Sequence, residues 1–426
     1  MSLPIDTIIC GDCREILPSL DEDSIDAIVC DPPYELGFMG RKWDATGIAY
    51  DKDMWFGCLR VLKPGGHLLA FGGTRTYHRM ACAIEDAGFE IRDMIEWVYG
   101  SGFPKSLDIS KALDKMVGAE REVIGIREEF AARADKKQHS NNCTINGFKH
   151  PEDRGKITSP STDAAKQWAG FGSALKPAHE PIVLARKPLE EKTIAENVLR
   201  WGVGGLNIDA CRIQMSAGDQ KGQFGPHREE FLEVECAKNG IYNEGWKRQE
   251  ANQSTGRFPA NFIHDNSPAV LAEFAKGGQT TRADKRLCKI QRTPRNDGSG
   301  TIYGKDTNLD PQPCYGDTGS PARFFQSCPF QEEDIPAFAY YAKAGPSERN
   351  GSTHPTMKPL SLMRYLRKLV TPPGGLILDP FGGSGTTGLA AIQEGFHYVL
   401  IEQQSEYCDI ARKRIAAIPR RLEEWA

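Results

Sequence analysis

Seven short β-branched runs, each bounded by turn residues, recur along this chain with amphipathic helices between them, and this alternation limits the fold more than any other feature. The runs are TIIC (7–10), DAIVC (26–30), HLLAF (67–71), IRDMIEWV (91–98), PIVLA (181–185), GLILD (375–379) and YVLIE (398–402). Between them Trp55, Cys58, Leu59 and Leu62 follow helical spacing and stop at KPGG, and Tyr77, Met80, Ala81 and Ile84 repeat it and stop at Gly88. Leu362, Met363, Leu366, Leu369 and Val370 make a further apolar face that ends before Pro372; Tyr407, Ile410, Ala411 and Ile415 make the last. Strands apolar on both faces and alternating with helices predict an α/β fold, a doubly wound, mostly parallel seven-stranded sheet of Rossmann-like type.

The alternation also divides the chain. Residues 1–130 and 336–426 form the two parts of the core, and 168–204 add a core strand and its connection. Residues 131–167 are polar and rich in Lys, Asn, Ser and Pro, which predicts a mobile loop; 205–335, rich in Gly, Pro and Asn, reads as an inserted irregular domain. Within the insert, Lys276, Arg282, Lys285, Arg286, Lys289, Arg292 and Arg295 face only Asp284 and Asp297. The formal net charge of -4 for the whole chain points to no polyanionic partner, so any nucleic-acid contact must come from such a local cluster.

Of the 12 cysteines, only Cys10 and Cys13 stand close together, with no second pair or histidines at zinc-ligand spacing. They read as reduced, mostly buried thiols in a cytoplasmic protein with no metal. The first residues carry no signal-peptide pattern, and nowhere do about 18 apolar residues run together, so the expectation is a soluble, unexported chain.

Two strand tips carry chemistry. The run LILD ends in Asp379, and the loop PFGGSGTTG follows, in which Gly383, Gly385 and Gly388 match G-x-G-x-x-G; a helix begins at about Thr387. Glu402 closes the next strand, where a carboxylate can hold ribose hydroxyls. A dinucleotide pyrophosphate gains nothing from a carboxylate immediately before its loop, because like charges repel. Asp379 suits a ligand with a positive amino group, such as the methionine moiety of S-adenosylmethionine, and so favours a methyl donor over NAD.

The other tip is Asp31-Pro32-Pro33-Tyr34, at the end of IDAIVC. An exocyclic amino group of adenine or cytosine is a poor nucleophile because its lone pair is delocalised into the ring. Asp31 can accept one amino hydrogen and the Pro32 carbonyl the other, which favours a pyramidal nitrogen with its lone pair free. Pro32 and Pro33 hold those acceptors rigid and offer no competing N–H, and Tyr34 offers a ring for stacking. In duplex DNA such a base must first leave the stack. Both tips belong at the carboxyl edge of the sheet and face each other if their strands are neighbours.

With both motifs in view, the chain resembles the β-class amino DNA methyltransferases (N6-adenine or N4-cytosine), in which the catalytic motif precedes the cofactor motif. The resemblance covers about residues 5 to 105 and 336 to 418. It implies that Asp31, Pro32, Pro33 and Tyr34 are catalytic, and that Asp379, Pro380, Phe381, Gly383, Ser384, Gly385, Thr386 and Glu402 hold S-adenosylmethionine along with Asp31. HPTMKPLSLMRYL resembles the family segment that packs on the methionine end of the donor, which implies roles for His354, Thr356, Lys358 and Pro359; Lys358 could pair with the donor carboxylate. CGDC resembles the element whose acidic residue, here Asp12, lies near the donor adenine. Asp at the head of the tetrapeptide implies adenine N6 as the target. Middle segments such as ALKPAHEPIVLARKP resemble phage and prophage site-specific enzymes, and the insert is then the target-recognition domain acting on double-stranded DNA. Dimerisation is common among such relatives. The competing readings are an N4-cytosine DNA or an RNA amino-methyltransferase and, from another class, an NAD-dependent oxidoreductase.

Overall fold

The computed structural model describes residues 5–37, 44–100, 106–126, 155–214, 256–276, 320, 322, 325–328 and 358–417. All seven predicted runs are strands: β1 (Thr7–Cys10), β2 (Ile25–Cys30), β3 (Leu62–Phe71), β4 (Glu90–Val98), β5 (His179–Arg186), β8 (Leu376–Asp379) and β9 (His397–Glu402). Two further short strands, β6 (Phe262–His264) and β7 (Gln326–Ser327), extend the same sheet, so it has nine strands among the described residues rather than seven. The difference has a simple cause. Two or three residues are too few to show a period, and both strands lie within the stretch read as irregular.

The spatial order is β1-β9-β8-β2-β3-β5-β4-β6-β7, parallel throughout except for β5, which runs antiparallel to both β3 and β4. At the centre β8 lies beside β2, pairing Ile377 with Ala27 and Leu378 with Ile28. Asp26 locks this junction: one oxygen accepts from the Lys63 ammonium at 2.6 Å and the other from the Leu376 backbone N–H at 2.7 Å. The chain leaves β8 toward β9 on one side and leaves β2 toward β3 on the other. The β8/β2 junction is therefore the point at which strand order reverses, where doubly wound sheets bind their ligands.

Apolar packing covers both faces. On one side α2 (Lys52–Val61) and α3 (Tyr77–Asp86) bury Met54, Trp55, Cys58, Met80 and Ile84 against the sheet. On the other, α5 (Leu360–Val370) and α6 (Thr386–Gln393) bury Leu362, Leu366, Leu369, Ala390 and Ala391. Two other helices matter for the site: α1 (Cys13–Ile16), which follows β1, and α7 (Ser405–Ala416), which packs over the loop after β8. The expected mobile loop at 131–167 is not loop at its end: Lys156–Thr158 pair with Val123–Ile126, and Asp163–Gln167 forms α4, with Thr162 as its cap. Polar composition hid this small unit because it is organised by a buried carboxylate: Asp114 accepts from Arg121, from the backbone N–H groups of Ser161 and Thr162, and from the Thr162 hydroxyl. Among the described cysteines Cys10 and Cys82 are exposed, six are buried and none forms a disulfide. No helix among the described residues is long and apolar enough to cross a membrane.

Candidate active site

Because β8 and β2 are parallel neighbours, their carboxyl ends bring the glycine loop and the Asp31 tetrapeptide to one edge of the sheet. The loop is shaped from inside. Asp379 is 2 % exposed; it accepts from the Phe381 backbone N–H at 2.9 Å and also from the Thr387 hydroxyl. The carboxylate that sequence reasoning aimed at a donor amino group is thus engaged in closing the turn. Burial pushes its pKa up to about 6; the bonds from Thr387 and Phe381 and the charge of Arg367 pull it down, and the charge of Asp31 across the junction pushes it up.

Glycine is required where the loop enters α6. Gly385 caps the helix at φ 81°, and a Cβ there would meet the Ala411 Cβ of α7 at 2.8 Å. Gly383 also has positive φ, 49°, and its N–H donates to Glu402 at 2.8 Å. Glu402 takes a second backbone bond from Gln404, also 2.8 Å, so the end of β9 and the loop are one hydrogen-bonded unit. Burial raises the Glu402 pKa and those backbone N–H bonds oppose it. Ser384 and Thr386 are braced by the Arg414 guanidinium, which donates to the Ser384 carbonyl and hydroxyl and to the Thr386 hydroxyl. Pro380 is buried, while Phe381 meets Trp55 with ring centroids 6.4 Å apart. Asp12 caps α1 next door: Cys10 pairs with Glu402, and Asp12 holds the Arg14 backbone N–H and guanidinium. The bond from Arg14 lowers the Asp12 pKa, although burial opposes it.

The Asp31 tip is built differently. The Thr76 hydroxyl donates to the Tyr34 carbonyl at 2.7 Å, and Gly73 lies so close that a Cβ there would meet Tyr34 Cδ2 at 3.2 Å. Lys358, 9 % exposed, donates from Nζ to Asp31 Oδ2 at 2.6 Å and stands 3.3 Å from Glu180 Oε2. Its ammonium lies 5.1 Å from the Tyr34 ring centroid and 4.8 Å from that of Phe71, within cation–π range. The same Glu180 oxygen accepts from the Tyr34 hydroxyl at 2.6 Å. Burial alone would lower the Lys358 pKa; Asp31 and Glu180 more than offset it, and the net shift is upward. Burial together with the charges of Asp31 and Glu180 raises the Tyr34 pKa well above the ordinary phenol value.

The structure thus brings together Asp31, Tyr34 and Lys358 at one tip and Asp379, Gly383, Ser384, Gly385, Thr386, Glu402 and Asp12 at the adjoining one. Pro359 is the N-cap residue of α5. His354, Thr356 and the basic cluster beyond Lys276 lie outside the described residues. Glu180 was missed. Its signal was a carboxylate at the head of an apolar strand, which marks the carboxyl edge of the sheet only if that strand runs antiparallel.

The N6/N4 DNA methylase family matches residues 25–413, a span that contains both tips. The chain belongs to this DNA methylase family. S-adenosylmethionine is the family's cofactor. Two curated relatives are similar over short segments. YubD, a proposed methylase of Escherichia coli (strain K12), is 40% identical over 73 residues, 17% of this chain and 32% of that protein. The type II methyltransferase M2.MboI of Moraxella bovis is 41% identical over 70 residues, 16% and 26% of the two chains. The chain therefore covers about a third or less of the length of these relatives. Among solved structures, the cytosine-N4-specific PvuII DNA methyltransferase is 12% identical with a TM-score of 0.40, over 99% of this chain and 89% of that one. The M1.HpyAVI–SAM complex is 16% identical with a TM-score of 0.35, over 96% and 98%.

The chain has residues that fit the family's donor. The positive φ of Gly383 and Gly385 turns the loop tightly into α6, and Glu402 and Asp12 set acceptor carboxylates at the ends of the two strands beyond β8.

Proposed function

We propose that this chain is a site-specific DNA methyltransferase that moves the methyl group of S-adenosylmethionine to the exocyclic N6 of an adenine flipped out of double-stranded DNA. The observation that carries this reading is the junction of β8 and β2, which sets a methyl-donor loop beside an Asp-Pro-Pro-Tyr tip at one edge of the sheet. Bound at the loop, S-adenosylmethionine supplies an electrophilic methyl group on a positively charged sulfur.

The chain's own residues do the rest. Lys358 anchors Asp31 through Oδ2, and in this reading Oδ1 accepts one amino hydrogen of the adenine. The carbonyl of buried Pro32 accepts the other, so the nitrogen turns pyramidal and its lone pair faces the donor. Tyr34 stacks on the extruded base, a contact worth about 1–3 kcal/mol. After transfer, the excess proton on the amino nitrogen passes to Asp31 or to water. No covalent bond to the protein is needed.

Adenine is favoured over cytosine by the Asp that heads the tetrapeptide, following the family resemblance. The 205–335 insert is assigned to target recognition, with the basic residues between 276 and 297 on the phosphate backbone. A cytoplasmic, phage- or prophage-type modification enzyme that pairs as a homodimer completes the reading. The test is to incubate the protein with duplex DNA and S-adenosylmethionine labelled in the methyl group, then digest the DNA to nucleosides. Label should elute as N6-methyldeoxyadenosine. Label in N4-methyldeoxycytidine would overturn the choice of base, and unlabelled DNA the activity itself.

A further inference from the structure

Glu180 takes no part in the reaction as written, yet it touches two of the groups that frame Asp31. Its Oε2 accepts from the Tyr34 hydroxyl at 2.6 Å and lies 3.3 Å from the Lys358 ammonium, which in turn donates to Asp31 at 2.6 Å. The backbone that carries it is held from both sides. Glu180 pairs with Trp97 of β4, and the following carbonyl, that of Pro181, accepts from the Gly72 N–H at 2.9 Å just beyond β3. Since β5 runs antiparallel to both β3 and β4, its first residues sit where its neighbours end. A carboxylate on a strand clamped in this way is aimed by the fold and not by a loop.

Tyr34 and Lys358 need such an anchor. A lysine ammonium ends a flexible four-carbon stem and can swing among acceptors, and a tyrosine hydroxyl without a partner leaves its ring free to tilt. One oxygen of Glu180 restrains both. With Asp31 and Glu180 each carrying a negative charge against one Lys358 cation, the ammonium is held between two acceptors in place of one.

We propose that Glu180 is a positioning residue for methyl transfer, fixing the Tyr34 ring and the Lys358 ammonium so that Asp31 stays aimed at the amino group. This rests on the methyltransferase reading above. Glu180→Ala should lower kcat about 10- to 100-fold while the Kd for S-adenosylmethionine changes less than about threefold. Glu180→Gln, which keeps an acceptor for the Tyr34 hydroxyl but loses the charge facing Lys358, should recover part of that loss and melt at the wild-type temperature. Because Glu180 acts partly through the Tyr34 hydroxyl, the losses from Tyr34→Phe and Glu180→Ala should combine to much less than their product.

Wild-type kcat in Glu180→Ala, or losses that multiply in full, would overturn the role. A second readout needs no turnover. Crystal structures of the wild type and of Glu180→Ala should differ in the placement of the Tyr34 hydroxyl and of Lys358 Nζ, and unchanged positions for both would overturn the proposal. A wild-type protein that methylates no DNA would instead defeat the methyltransferase reading, and the crystallographic comparison would still decide this one.

Discussion

The two tips that meet at the β8/β2 junction are built by opposite strategies. The loop proposed to hold the donor is local: Asp379 closes onto Phe381 and Thr387, and Gly383 onto Glu402, all within one strand-loop-helix-strand segment. The Asp31 tip, to which we assign catalysis, is assembled from distant pieces. Asp31 meets Lys358 across 327 residues, and Tyr34 meets Glu180 across 146. A loop held mainly by its own strand, helix and the nearby α7 depends on few remote contacts, whereas a tip held by remote partners works only when those partners are in place. The separation predicts that damage to the catalytic tip spares donor binding, and that damage to the loop does not spare chemistry.

The largest effect should follow from Asp31→Ala. Transfer should fall at least about a thousandfold, with loss of the acceptor that steers the nucleophile, while donor affinity measured by calorimetry stays within about threefold. A parallel collapse of donor binding would mean that the two tips are a single unit. Gly385→Ala attacks the other side. The methyl group would strike Ala411 at a position with φ 81°, so donor affinity should weaken roughly tenfold or more and stability should fall by about 1–3 kcal/mol in urea titration.

A smaller effect comes from pH. Asp379 holds its proton more tightly in the folded protein, with a pKa near 6 against 3.8 ordinarily, so the folded state binds more protons than the unfolded chain between those values. Its contribution is therefore greatest at low pH and is lost as pH rises through about 6, on the order of 1–3 kcal/mol. In Asp379→Asn that component of the pH dependence should vanish. If urea titrations at pH 5 and pH 7.5 show the same difference in wild type and variant, the carboxylate is not buried as described.

The same contrast explains what the sequence could reveal. Strand, glycine loop, helix and Glu402 stand in one readable run, and their placement followed from local pattern alone. The β-branched runs marked the core strands for the same reason, since each carries its own apolar signature. Glu180 could not be found in this way, because only the antiparallel course of β5 brings the start of that strand to the edge where its neighbours end. Lys358 was visible as a cation near the donor, but its attachment to Asp31 and Glu180 depends on α5 folding back against β2 and β3, a relation no local pattern records. Strands β6 and β7 escaped through brevity, and the 155–167 segment because one buried Asp114, not a run of apolar residues, organises it.

The most direct measurement is a crystal structure of the protein with the donor analogue sinefungin and a duplex carrying its target site. Sinefungin should sit on the 381–386 loop with its ribose toward Glu402, and an extruded adenine should place its amino group within hydrogen-bonding reach of Asp31. An analogue bound away from that loop, or a base held where Asp31 cannot reach it, would contradict a shared site at the β8/β2 junction.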